Sequence, residues 1–237
     1  MNYALLADQF WKDGFLLLED FFSLKLMDAY NEKILQHFGM NPEFFHNEEF
    51  LTKSDTEVIP WFPQREGETL FDSVEQDSRL IELSHAILGS GWYTQYCMVM
   101  FSGQGTKGQA WHQDCPPENP QFFNMNRLIY TMDINDETGG KTMAVRGSHK
   151  LGVLPACDYD MDFPEQQTFA PKKGTLLLLH GHTWHKVLSV TGKYRVSTNY
   201  RSAPKDVPEN ITDICVYRNM RYQFSTSQVV EDRLANR

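Results

Sequence analysis

From Trp92 to Tyr200 the chain is a succession of short runs rich in apolar and β-branched residues, WYTQYCMVMF, RLIYTMDI, KTMAV, TLLLLH and YRVSTNY, broken by glycine, proline and polar turn residues. That cadence predicts an antiparallel barrel or sandwich. No helical pattern of about 10–15 residues alternates with the runs, so a parallel, doubly wound sheet is disfavoured.

The first ninety residues read differently. SLKLMDAYNEKILQHFG places Ser23 ahead of apolar residues at helical spacing and ends at Gly39, which predicts a capped amphipathic helix. DSVEQDSRLIELSHAILG predicts a second helix ending before Gly89. Residues 40–70 hold Pro42, Pro60 and Pro63 without periodicity and read as loop. The expectation is one domain over residues 1–237, with 1–90 as mostly helical support and 91–220 as a β core. Residues 152–172 interrupt the β cadence with Asp158, Asp160, Asp162 and Glu165, and a long loop of this kind is expected to act as a lid.

At 237 residues the chain buries ~70 % of its unfolded surface, enough for an enzyme core. Its 22 basic and 31 acidic residues give a formal charge of −9, which argues against nucleic acid and anionic membranes as partners. The apolar run TLLLLH is far shorter than the ~20 residues of a membrane span. Four cysteines, Cys97, Cys115, Cys157 and Cys215, form no CxxC pair and read as reduced thiols in a cytoplasm. Asn210-Ile211-Thr212 fits a glycosylation sequon but carries no weight without a secretion signal.

In AWHQDCPPENP, a strand would turn His112 and Asp114 to one face and Gln113 to the other, supplying half of a metal site. Further ligands are offered by GTLLLLHGHTWHKV, with His180, His182 and His185. Two imidazoles and a carboxylate suit a non-heme iron with open coordination positions. The alternative is a zinc site built from the three later histidines alone. If the strand continues, His180 and His182 share a face and His185 does not.

Three further patterns fail on context. Gly103, Gly105 and Gly108 have GxGxxG spacing but open no helix, so no dinucleotide site follows. DYDMDF lacks the glycine and glutamate of a calcium loop. Gly147-Ser148-His149-Lys150 reads as a turn rather than a nucleophile and base.

Taken in order, FWKDGFLLLEDFFS, WHQD, GGKTMAVRGSHK, GTLLLLHGHTWHKV and KYRVS resemble the phytanoyl-CoA dioxygenase family of iron(II)- and 2-oxoglutarate-dependent oxygenases over nearly the whole chain. The resemblance implies a double-stranded β-helix (jelly-roll, cupin-like) core, mainly β with a helical N-terminal part. It also implies Fe(II) held by His112, Asp114 and His185, with His180 a core residue. 2-Oxoglutarate is then the cosubstrate, its far carboxylate on Arg195 with help from Ser197, and Gln95 and Tyr130 are further candidate contacts. Consumption of O2 would hydroxylate or otherwise oxidise a small molecule and release succinate and CO2. Because Asp114 is retained, oxidation is favoured over halogenation. The rival is a non-catalytic metal-binding jelly roll, a sensor or binding module, which has no need of Arg195 and Ser197.

Overall fold

The computed structural model describes residues 1–39 and 58–208, together with the backbone strands 214–217, 220–224 and 229–233. The sequon at 210–212 and most of the segment read as loop, 40–57, lie outside the described residues.

Two antiparallel sheets face each other. One has the order β1 (Phe15–Leu18), β8 (Leu176–His180), β5 (Met125–Ile129), β10 (Tyr194–Ala203), β3 (Tyr93–Gly103) and β2 (Ile59–Trp61). The other runs β13 (Val229–Arg233), β12 (Met220–Phe224), β11 (Ile214–Tyr217), β4 (Gln109–Gln113), β9 (His185–Val187), β6 (Thr142–Val145) and β7 (Gln166–Phe169). This is the antiparallel β core expected from the cadence, in the jelly-roll form that the family resemblance implies.

Side-chain alternation divides each strand between layers. Leu176 and Leu178 join Val99, Ile129, Val196 and Tyr200 in a core that packs the six-stranded sheet against helices α1 (Tyr3–Asp13), α2 (Leu24–Phe38) and α3 (Ser78–Leu88). Leu177 and Leu179 point the opposite way and fill the space between the sheets with Phe15, Met100, Leu128, Tyr130 and Phe169. A run of four leucines without alternation is therefore the signature of a strand covered on both faces.

The helix ends follow their caps. Ser23 Oγ accepts from the Leu26 N–H at 3.3 Å, and Gly39 ends α2 at φ +61°. The second helical stretch is split. Residues 72–75 form one turn, and α3 starts afresh at Asp77, whose carboxylate accepts from the Arg79 N–H at 2.9 Å.

Two stretches read as helical support or loop hold strands instead. FLLL at residues 15–18 pairs with β8, with Phe15 opposite Leu179, and Ile59–Trp61 pairs with β3. Both edges of the six-stranded sheet thus come from the N-terminal third, a long-range pairing that local periodicity does not encode.

The acidic loop is not a lid. Trp111 Nε1 donates to the Met161 carbonyl at 2.8 Å, Leu154 N–H donates to Gln113 Oε1 at 2.8 Å, and Lys186 Nζ donates to the Tyr159 carbonyl at 2.9 Å. These partners alternate with His112 and His185, so the loop covers the outer face of the seven-stranded sheet. Leu154, Cys157 and Phe163 pack there on Trp111, Met143 and Trp184. Residues 166–169 leave the loop to form β7.

Candidate metal centre

Strands β4 and β9 pair with His112 directly opposite His185, and their rings lie 4.0 Å apart between centroids. Alternation carries one residue past the end of β4, so Asp114 joins them before Pro116 and Pro117 stop the strand. The Asp114 carboxylate lies 3.7 Å from His112 Nε2 through Oδ1 and 3.2 Å from His185 Nε2 through Oδ2. Ligand atoms of all three fall within 4.8 Å of one another, and all three residues are buried.

Each imidazole is oriented by its own backbone. His112 Nδ1 donates to the Ala110 carbonyl and His185 Nδ1 to the Thr183 carbonyl, both at 2.8 Å. A proton fixed on Nδ1 leaves the Nε2 lone pair for a metal. Burial, and then the neighbouring His185, push the His112 imidazole down to about 3, so it stays neutral. Burial alone would raise the Asp114 carboxyl, but Arg201 and then His185 outweigh it and hold the group below the usual carboxylate range. Arg201 Nη2 stands 3.2 Å from Asp114 Oδ1, and Asn126 Nδ2 donates to Asp114 Oδ2 at 2.6 Å. Two imidazoles with Nε2 left free for a metal, beside an ionised carboxylate, suit a divalent cation such as iron.

The later histidines do not converge. β8 ends at His180, and residues 181–184 carry the chain across to the other sheet, where His185 opens β9. Gly181 is required at the crossing, since a Cβ there would fall 2.3 Å from Asn124 Oδ1. His180 stacks on Phe123 at 4.3 Å beneath α1, and His182 Nε2 bonds the Phe122 carbonyl at 3.0 Å. His180 is a core residue, and among the described residues the three-histidine zinc arrangement is absent. The strand-phase premise also gives way, because the strand ends before His182.

Arg195, on the inward face of β10, is 2 % exposed. Its Nε donates to the Gly140 carbonyl at 2.9 Å, Nη1 to Ser197 Oγ at 3.0 Å and Nη2 to Thr142 Oγ1 at 3.5 Å. Tyr130 lies beneath the guanidinium, 6.0 Å from its ring centroid, and its hydroxyl shares a hydrogen bond with Thr142 at 3.1 Å. Among the described residues no carboxylate pairs with this cation, and burial lowers its pKa. Thr142 stands two residues along β6 from Ala144, which opposes His185.

Arg195, Ser197 and Tyr130 are thus brought together. Gln95 is not. It is the extra residue of a bulge at the far end of β3, where Ser102 opposes Arg195, roughly 20 Å away along the strand. Sequence reasoning missed Thr142, Asn126 and Arg201. The alternation in YRVSTNYR, which sets Arg195, Ser197, Asn199 and Arg201 on one face, was the signal for the last of these.

The structure resembles the non-heme alpha ketoglutarate dependent epimerase SnoN from nogalamycin biosynthesis, with a TM-score of 0.66 at 16 % identity over 91 % of this chain and 85 % of that one. It also resembles HygX from Streptomyces hygroscopicus with nickel and 2-oxoglutarate bound, with a TM-score of 0.66 at 14 % identity over 85 % of this chain and 86 % of that one. Likeness at these identities speaks for the fold. A search of curated proteins finds no match. The family model described as phytanoyl-CoA dioxygenase matches residues 10–196. With that match spanning most of its length, the chain belongs to the phytanoyl-CoA dioxygenase family.

Proposed function

We propose that this chain is an Fe(II)- and 2-oxoglutarate-dependent oxygenase that hydroxylates, or otherwise oxidises, a small molecule with release of succinate and CO2. His112 Nε2, the Asp114 carboxylate and His185 Nε2 would hold the metal. Arg195 would take the far carboxylate of 2-oxoglutarate, with the Ser197, Thr142 and Tyr130 hydroxyls at its side. Once bound, iron supplies the activation of O2 coupled to oxidative decarboxylation of the cosubstrate. The protein keeps the His112 imidazole neutral, holds Asp114 ionised and closes the inner end of the barrel with apolar packing that excludes water. SnoN and HygX, crystallised with nogalamycin RO and hygromycin B respectively, are consistent with a small-molecule substrate. We read residues 1–237 as one catalytic unit. Its buried Cys97 and Cys115, which keep free thiols, fit a reducing cytoplasm.

The observation that carries this reading is Arg195, a buried guanidinium with hydroxyl and carbonyl partners but, among the described residues, no carboxylate. Burying a charge without a counter-ion is costly, so the site is built for an anion. A pure metal sensor has no such need. Calorimetry of 2-oxoglutarate binding to the Ni(II)-loaded protein under nitrogen tests it. Arg195→Ala should weaken the cosubstrate by ~2–5 kcal/mol with Ni(II) affinity retained, and lysine should restore only part. Equal 2-oxoglutarate affinity in the native protein and Arg195→Ala would count against the assignment.

A further inference from the structure

Between β6 and the acidic loop, the GSHK turn reaches back to the third metal ligand. The crossing at residues 181–184 brings His185 to its sheet, and each of its carbonyls is held. Asp114 N–H donates to the Gly181 carbonyl at 2.8 Å, Gln113 Nε2 to the His182 carbonyl at 2.8 Å and Val145 N–H to the Trp184 carbonyl at 2.9 Å. The Thr183 carbonyl is the one that takes the His185 Nδ1 proton, at 2.8 Å. A trans peptide points its N–H opposite to its carbonyl, and the N–H of this one, on Trp184, donates to Ser148 Oγ at 2.8 Å.

Ser148 is fully buried, and its single proton goes to the Val145 carbonyl at 2.7 Å, so towards Trp184 it can only accept. The turn that carries it is fastened to the end of α1, where Gly147 N–H donates to the Asp13 carbonyl at 2.7 Å. The next carbonyl, of Gly14, accepts from His180 N–H and Thr183 Oγ1, both at 2.9 Å, so turn and crossing share one anchor. His112 differs, because the Ala110 carbonyl that orients it lies within β4 itself. We infer that Ser148 is a positioning residue for His185. By holding the Trp184 N–H it fixes the plane of the peptide whose carbonyl keeps the His185 proton on Nδ1, which leaves Nε2 for the metal. Without that hold the peptide can rotate and the imidazole loses its direction. The inference rests on the reading of His112, Asp114 and His185 as a metal centre and gives the GSHK turn its part in it.

The test loads the full-length protein with Zn(II), a diamagnetic ion that accepts the same ligand types, and follows the ring N–H protons of His112 and His185 by NMR. In Ser148→Ala the His185 proton should move upfield and exchange faster with water, while the His112 proton stays as in the native protein. Zn(II) affinity by competition calorimetry should fall about tenfold, a usual loss when the group orienting a ligand is disturbed. Ser148→Cys, close in size but with a weakly accepting sulfur, should behave like alanine, and Ser148→Thr, which keeps the hydroxyl, should restore both readouts. Tyr30→Phe also loses buried hydrogen bonds, to Ser73 and Tyr200 on the helical side of the six-stranded sheet, and should bind Zn(II) as the native protein does. The inference is overturned if alanine and cysteine leave the His185 proton and Zn(II) affinity unchanged, if the His112 proton moves as far as that of His185, if threonine restores neither, or if Tyr30→Phe weakens Zn(II) equally. Calorimetry of 2-oxoglutarate keeps the readings apart. A native protein that binds Zn(II) but ignores 2-oxoglutarate indicts the cosubstrate and leaves Ser148 in its role, whereas one that takes up no Zn(II) removes the metal centre and this inference together.

Discussion

At the scale of single residues, the centre depends on which nitrogen of each imidazole carries the proton. The Ala110 and Thr183 carbonyls make that choice for His112 and His185. Removing any one ligand leaves two, too few to hold a ferrous ion in a defined geometry. His112→Ala, Asp114→Ala and His185→Ala should each abolish substrate-dependent succinate formation while circular dichroism stays native. His182→Ala should keep turnover, since its ring nitrogen engages a backbone carbonyl away from the centre. Activity in His185→Ala together with a dead His182→Ala would reassign the third ligand. The pair His112 and Asp114 was legible in the sequence because a strand's period of two sets them on one face. His185 was not legible from spacing, because the crossing between sheets at Gly181 breaks the period that joins it to His180.

At the scale of elements, turns and loops carry the positions that strands alone do not explain. Gly140 has φ +64°, and a Cβ there would lie 2.7 Å from Arg195 Cδ. Gly140→Ala should therefore displace the guanidinium and weaken 2-oxoglutarate tenfold or more, about 1.4 kcal/mol or above, with Ni(II) affinity unchanged. Calorimetry of both ligands checks it, and equal weakening of the two would point to general unfolding instead. The acidic loop makes the opposite prediction. Because it packs on the outer face of the seven-stranded sheet, changing Asp158, Asp160 and Asp162 to asparagine should leave the KM for 2-oxoglutarate and its salt dependence as they are. A steep change in either would put the loop back over the site. Its length and charge were visible in the sequence. Its side of the sheet was not, since that is decided by Trp111, Gln113, Trp184 and Lys186 alternating outward from the ligands.

At the scale of the whole molecule, His180 and His149 tie the N-terminal helix to the barrel, and with the neighbouring His182 they make the fold sensitive to acid. His180 is held well below its ordinary value by burial and then by its neighbour His182. Burial also lowers His182 to about 4 and lowers His149. His180 and His182 resist protonation in the fold but take up protons in the unfolded chain below the ordinary value of 6.5, and His149 shifts in the same direction. Stability is therefore full above that value and falls as the pH drops from 6.5 towards about 4, by up to ~1.4 kcal/mol per pH unit for each of His180 and His182. Thermal melts of the metal-free protein between pH 7.5 and 4.5 should show this decline. His180→Phe should flatten it while lowering the Tm at pH 7.5, since the His182 N–H loses its acceptor. An unchanged slope would place the acid sensitivity elsewhere.

The order of strands in the six-stranded sheet also bears on how the molecule is made. β1 at Phe15–Leu18 has only β8 beside it, and β2 has only β3, whose other neighbour is β10. During synthesis the first strand and the helices around it must wait, unpaired, until Leu176–His180 has left the ribosome, and the sheet closes only when Tyr194–Ala203 follows. Non-local closure of this kind is slow and leaves apolar edges open in the meantime. A chain ending before Tyr194 would lack the strand that joins β1-β8-β5 to β3-β2, so its six-stranded sheet would stay split in two.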